Sequence, residues 1–236
     1  MKSRIFKNME WMILISALLL SIVGFVALYS ATQSSGFDEL KKQVMWFGVS
    51  IVIMLVIMLV DYDVWAKLSP VFYGISIILL IAVLFTKARN GASSWFKIGA
   101  FTLQPGELAK VAVILFTSST IVKVQERGKF EINVFWKLCV TLLTVIFPVF
   151  LIILQPDYGT AAAYLVSLVL MLYVSGIDKK YIIVASILVV VALPLAYFFV
   201  LPNHAKTRID IFLNPESDPK GAGYNVLQSK IAIGSG

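Results

Sequence analysis

Apolar residues along this chain fall into separate runs of roughly 15 to 21 residues, most of them close to the ~20 that cross ~30 Å of hydrocarbon as a helix. The runs are Trp11–Ala31, Gln43–Val60, Leu68–Thr86, Leu108–Val122, Leu138–Leu154, Tyr158–Ile177 and Tyr181–Leu201. Only the fourth carries an internal charge, Lys110; the other charges lie in the connections. The pattern predicts an all-α polytopic membrane protein with seven spans. The first run follows Lys2, Arg4 and Lys7, as a secretory signal would, but it is longer than the ~7–15 residues of a signal's apolar core and is read as a retained helix.

Composition agrees. Of 236 residues 59% are hydrophobic and 14% charged, against roughly half and a quarter in soluble domains. Disorder is excluded by that hydrophobicity, and a disulfide scaffold by the single cysteine, Cys139. With the N-terminus in the cytoplasm, ten Lys and Arg lie inside and nine outside; leaving the 35-residue tail out of the count makes it ten against five. The full count scarcely decides orientation; the count without the tail favours the N-terminus inside, which is the reading adopted. The formal net charge of +7 suits anionic lipid surfaces, and no basic stretch interleaved with aromatics points to nucleic acid.

Two outer connections are long. Lys87 to Glu107 contains Gly91, Trp95, Gly99, Pro105 and Gly106 and lacks a continuous helical period, while the tail from Pro202 to Gly236 is rich in turn residues. Long loops gathered on one face suggest a binding or catalytic surface. The chain reads as a single domain over 1–236, with 202–236 as an extracellular loop and the start of a following segment. The ending Ile233-Gly234-Ser235-Gly236, with no closing helix and no charged stop, reads as truncated or as a linker scar.

Three places hold candidate chemistry. Gln104-Pro105-Gly106-Glu107-Leu108-Ala109-Lys110 opens the fourth span, and Glu107 and Lys110, three apart, share a helix face. They are either a first-turn acid with a snorkelling lysine or an ionisable pair facing a polar cavity. Gln155-Pro156-Asp157-Tyr158-Gly159-Thr160 joins the fifth and sixth spans. There Asp157 is either a helix cap or a cavity acid, and Gly159 with Ala163 forms a small-xxx-small spacing that permits close helix approach, which could bring Asp157 near Lys110. In the tail, Arg208, Asp210, Asn214, Glu216 and Asp218 precede Lys220-Gly221-Ala222-Gly223-Tyr224. This is a solvated charged loop, or an acid beside a ligand with Arg208 and Lys220 toward phosphate. His204 is the only histidine, which argues against a His-based triad or a multi-His metal site.

Together these segments resemble the SEDS family of bacterial cell-wall polymerases, nearer its rod-shape branch (RodA) than its division (FtsW) or sporulation (SpoVE) branch. The resemblance rests on Asn90-Gly91-Ala92-Ser93-Ser94-Trp95, the Gln104 to Lys110 segment, the Gln155 to Thr160 segment, Phe212-Leu213-Asn214-Pro215-Glu216-Ser217-Asp218-Pro219, and Gly221-Ala222-Gly223-Tyr224 leading to Gln228 through Gly236. Three positions depart from the pattern: Gly106 in place of Ser, Ser94 in place of Arg, and Asn225 in place of Gln or His.

The resemblance implies about ten membrane helices of ~20 residues each, so about three beyond those present here. It implies Asp218 as the catalytic acid, and Trp95, Glu107, Lys110 and Asp157 as substrate or cavity residues, with Arg208 and Lys220 as candidate phosphate contacts. The implied activity is peptidoglycan glycosyl transfer, polymerising undecaprenyl-linked lipid II at the outer face of the bacterial cytoplasmic membrane. The implied partner is a class B penicillin-binding transpeptidase. No cofactor follows with certainty; a divalent cation is the one the chemistry leaves open. A lipid II flippase and a membrane scaffold are the alternative readings, the first drawing on the same Glu107, Lys110 and Asp157.

Overall fold

The computed structural model describes residues 10–33, 36–86, 94–98, 101–201, 203–221 and 223–235. Seven helices coincide with the seven apolar runs: α1 Trp11–Thr32, α2 Asp38–Leu59, α3 Tyr62–Leu84, α4 Pro105–Val124, α5 Phe135–Leu154, α6 Tyr158–Ser175 and α7 Lys179–Leu195. Among the described residues, five of them (α1, α2, α3, α5 and α6) are long and apolar enough to cross a membrane. The fourth carries Glu107, Lys110 and the polar run Thr117-Ser118-Ser119-Thr120, and the seventh has 17 α-helical residues before a π-turn at Ala196–Val200.

The chain forms two compact units, dividing within α3 at Lys67. In the first, α1 and α2 pair as an antiparallel hairpin fastened by Phe25 edge-on to Phe47 (ring centroids 5.3 Å apart) and by Tyr29 stacked on Phe37 (5.4 Å). Most of their side chains are exposed apolar groups, as expected of helices whose solvent is lipid rather than water. At the start of α2, Asp38 and Glu39 pair with Lys41 and Lys42 one turn on.

In the second unit the core is built where α4, α5 and α6 meet, with Leu80 of α3 added. Helix α5 presents Leu138, Val145, Val149 and Ile152 to it, and α6 presents Ala161, Tyr164, Leu168 and Leu172, each set at the three- and four-residue steps of one helix face. Thr117 of α4 and Thr144 of α5 hydrogen-bond at 2.8 Å inside this core. Where lipid replaces water, such a bond is one of the few directional contacts between helices.

Both long connections contain short regular elements. The connection before α4 contains a short antiparallel ribbon, β1 Phe96–Ile98 with β2 Phe101–Leu103, in register Phe96 to Leu103; Phe-Lys-Ile and Phe-Thr-Leu each alternate, which suits a ribbon with one covered face. The tail read as loop contains two helices, α8 Asn203–Leu213 and α9 Tyr224–Gly234. Turn residues cluster between 214 and 223, and the flanking stretches are free of proline, so they follow their helical propensity.

Candidate functional site

The site is a corner where the start of α4, the α5–α6 turn and the β-ribbon converge. Pro105 takes the first helical position of α4, where its missing N–H costs nothing, and Glu107 follows in the first turn. Lys110 reaches back to Glu107, its Nζ at 2.9 and 3.0 Å from the two carboxylate oxygens. Lys110 is the more covered partner, its side chain 25% exposed against 56% for Glu107. Beyond the pair, Lys110 borders a narrow groove between α4, α5 and α6, with Val145, Tyr164 and Ser167 on its walls.

Asp157 caps α6, accepting the Thr160 N–H at Oδ1 (3.2 Å) and the Thr160 hydroxyl at Oδ2 (3.0 Å). It also accepts Gln104 Nε2 at 2.6 Å. Lys110 is paired with Glu107, and Asp157 with Gln104 and Thr160. A Cβ on Gly159 would meet nothing within 4 Å, whereas one on Gly106 would lie 3.2 Å from Thr160 Cγ2. The small residue that permits close approach is therefore Gly106 on α4, because Tyr164 pulls that segment in, its buried hydroxyl donating to the Gly106 carbonyl at 2.7 Å.

Trp95 is half-exposed. Its neighbour Ser94 is buried and donates to the Gln155 carbonyl at 3.3 Å, while the Gln155 side chain, also buried, donates to the Leu80 carbonyl at 3.1 Å. These bonds fix Trp95 beside the turn that carries Asp157. The residues Asn90 to Ser93 of the same motif lie outside the described residues.

Asp218 occupies a separate turn between α8 and α9. Gly221 N–H donates to Asp218 Oδ1 at 3.0 Å, and Gly223 N–H to the Asp218 carbonyl at 3.1 Å. A side chain on Gly221 would run into the Asp218 carboxylate, and one on Gly223 into the Pro215 carbonyl. Both glycines are thus explained by the shape of the acid's turn. Arg208 on α8 and Lys220 in the turn are exposed. Among the described residues, no three of His, Cys, Asp and Glu converge as a metal-binding set.

Reasoning from the sequence alone missed Gln104, Gln155, Thr160 and Tyr164 as site-forming residues. The available signal was spacing: Thr160 and Tyr164, four apart, lie on one face of α6.

A bundle of apolar helices with ionisable groups gathered at helix ends and a carboxylate on a glycine-shaped turn defines a multi-pass membrane protein. The chain belongs to the FtsW/RodA/SpoVE family, described as cell cycle proteins, whose family model matches residues 10–236.

It is 34% identical over 232 residues to the peptidoglycan glycosyltransferase MrdB of Escherichia coli, covering 95% of this chain and 59% of that protein. Stage V sporulation protein E of Bacillus subtilis is 32% identical over 241 residues, covering 96% and 63%. A solved structure described as the structural coordination of polymerization and crosslinking by a peptidoglycan synthase complex superposes with a TM-score of 0.78 at 28% identity, covering 96% of this chain and 65% of that one. The crystal structure of the Thermus thermophilus rod shape determining protein RodA gives 0.66 at 25%, covering 78% and 60%. The chain spans about three fifths of the length of the curated relatives it matches.

Proposed function

We propose that the intact protein is a peptidoglycan glycosyltransferase that joins lipid II units into glycan strands at the outer face of the cytoplasmic membrane, serving cell elongation. The names of the relatives support the reaction class. The observation that carries the reading is Asp218, an acid on an exposed turn that two glycine amides shape. In the reaction, the 4-hydroxyl of one sugar attacks the anomeric carbon of another; the new glycosidic bond forms as the bond to undecaprenyl pyrophosphate breaks. Asp218 takes the hydroxyl proton, a contribution of about 10²–10⁴-fold for a positioned base. Arg208, Lys220 and Lys110 are the cations assigned to the departing pyrophosphate. Trp95, Glu107 and Asp157 line the substrate's approach, and the N-terminus is cytoplasmic. The partner is a class B penicillin-binding transpeptidase, in keeping with the polymerisation and crosslinking named for a matched complex.

The test is lipid II polymerisation by the purified intact protein in detergent, where no leaflets exist and a flippase yields no product. Loss of glycan strands in Asp218→Asn, with the helical spectrum retained, supports the assignment. Strand synthesis at the unmodified rate refutes it.

A further inference from the structure

At the opposite end of α4 from Glu107, two connections are stitched into one platform. Gln125 Nε2 donates to the carbonyls of Lys129 (2.7 Å) and Ser175 (2.8 Å). Asn133 accepts the Asp178 N–H at its side chain (2.8 Å) and the Tyr181 hydroxyl at its carbonyl (3.3 Å). The stem of Lys129 lies across the α6–α7 turn at Gly176, whose φ of +84° and lack of a side chain both suit glycine; a Cβ there would sit 2.8 Å from Lys129 Cε. The 125–133 connection, in two short 3₁₀ turns, is thereby a held surface rather than a free loop.

What the platform displays is charge and aromatic area together. Residues 123–137 and 178–180 hold six cations and three carboxylates, Glu126, Glu131 and Asp178. Lys137 is taken by Glu131 (2.7 Å) and Lys180 by Asp178 (3.1 Å). Arg127, Lys129 and Lys179 meet no carboxylate within ion-pair distance among the described residues and are exposed. Beside them Phe130, Phe135 and Trp136 are 74%, 64% and 75% exposed, at the beginning of a membrane-crossing helix. Aromatic rings at that depth sit at the headgroup level, and lysines and arginines at the same depth attract anionic lipid.

We infer that this stitched platform is a docking site for anionic phospholipid headgroups, with Arg127, Lys129 and Lys179 on the phosphate and Phe130 and Trp136 seated at the boundary of the acyl chains. Rigidity is what separates it from a merely basic loop: the hydrogen bonds between the two connections fix the cations before the lipid arrives, which lowers the ordering cost of binding. The inference rests on the helices crossing the membrane and is independent of the glycosyl-transfer reading, since the platform shares no residue with the site above.

The experiment places the intact protein in nanodiscs of phosphatidylcholine with a minor fraction of phosphatidylglycerol and measures by native mass spectrometry which lipid is retained after delipidation. The combined variant R127Q/K129M/K179Q removes three charges while keeping the Lys129 stem over Gly176, and a control, K41Q/K42Q/K230Q, removes three charges elsewhere. The unmodified protein and the control are expected to retain phosphatidylglycerol preferentially, and the platform variant to lose that preference by about tenfold, a conservative reading of three near-surface cations. An unchanged preference in the platform variant, or equal loss in the control, overturns the site. Absence of any preference in the unmodified protein overturns it too.

Discussion

Gln104 Nε2 and Asp157 Oδ2 lie 2.6 Å apart although 53 positions separate them in the chain, so one short bond ties the start of α4 to the start of α6. The carboxylate does two jobs, capping its own helix and receiving the amide from another. Asp157→Ala is expected to destabilise by about 1–3 kcal/mol, a lost cap plus a lost tether to a charged acceptor, and Gln104→Ala by less. Denaturant titration of the intact protein in detergent should show the double variant losing less than the two single losses combined, as two partners of one bond require.

Glu107 and Lys110 form a second coupled pair, but with unequal cover. Because Lys110 is the better buried of the two, removing Glu107 leaves the more costly orphan. Glu107→Gln is expected to be more destabilising than Lys110→Met in the same titration, and equal losses would place both groups in water.

The turn that carries Asp218 predicts an effect for a residue with no chemistry of its own. Gly221→Ala pushes a methyl group into the Asp218 carboxylate and is expected to lower lipid II polymerisation at least tenfold, a loss on the scale of a misplaced general base. Gly234→Ala, with nothing within 4 Å of its added carbon, is expected to leave the rate unchanged.

Lys137 holds the Glu131 carboxyl below the ordinary carboxylate range, with Arg127 adding a weaker pull. A carboxyl whose folded value is depressed stabilises the fold above its unfolded value, and that contribution disappears as pH falls through the depressed one. Thermal midpoints between neutral and acid pH should therefore fall less steeply in Glu131→Gln than in the unmodified protein. Identical slopes would detach Glu131 from the stability of this connection.

Topology is checked with thiols in a background lacking Cys139. Cysteines at Lys97 and Ser217 are expected to react with a membrane-impermeant reagent in intact spheroplasts, and one at Glu126 only after lysis. These positions are chosen because all three are exposed, whereas Ser94 is buried against Gln155. Reaction at Glu126 alone would turn the protein over in the membrane.

Local chemistry was legible in the sequence wherever partners were close along the chain. Asp157 caps the helix it precedes, and Glu107 meets Lys110, because caps and i,i+3 pairs depend only on the geometry of one helix. At Gly159 the spacing permits a close contact, but it is Gly106 that makes one. A small residue permits close approach, but the neighbour decides whether it happens. Less legible were α8 and α9, where the prolines and glycines between 214 and 223 outweighed the helical stretches on either side.

The sequence alone determined that the chain crosses a membrane and roughly where, because the cost of exposing backbone polar groups to hydrocarbon compels each apolar run of about 20 residues to become a helix. Only the tertiary structure decided which polar groups meet. Ser94 with Gln155, Gln155 with Leu80, Tyr164 with Gly106 and Gln104 with Asp157 join residues 53 to 75 positions apart. Such partnerships depend on which helices pack side by side and at what height. Lipid gives no hydrophobic preference for one helix pairing over another, so the choice falls to close packing and to these few hydrogen bonds.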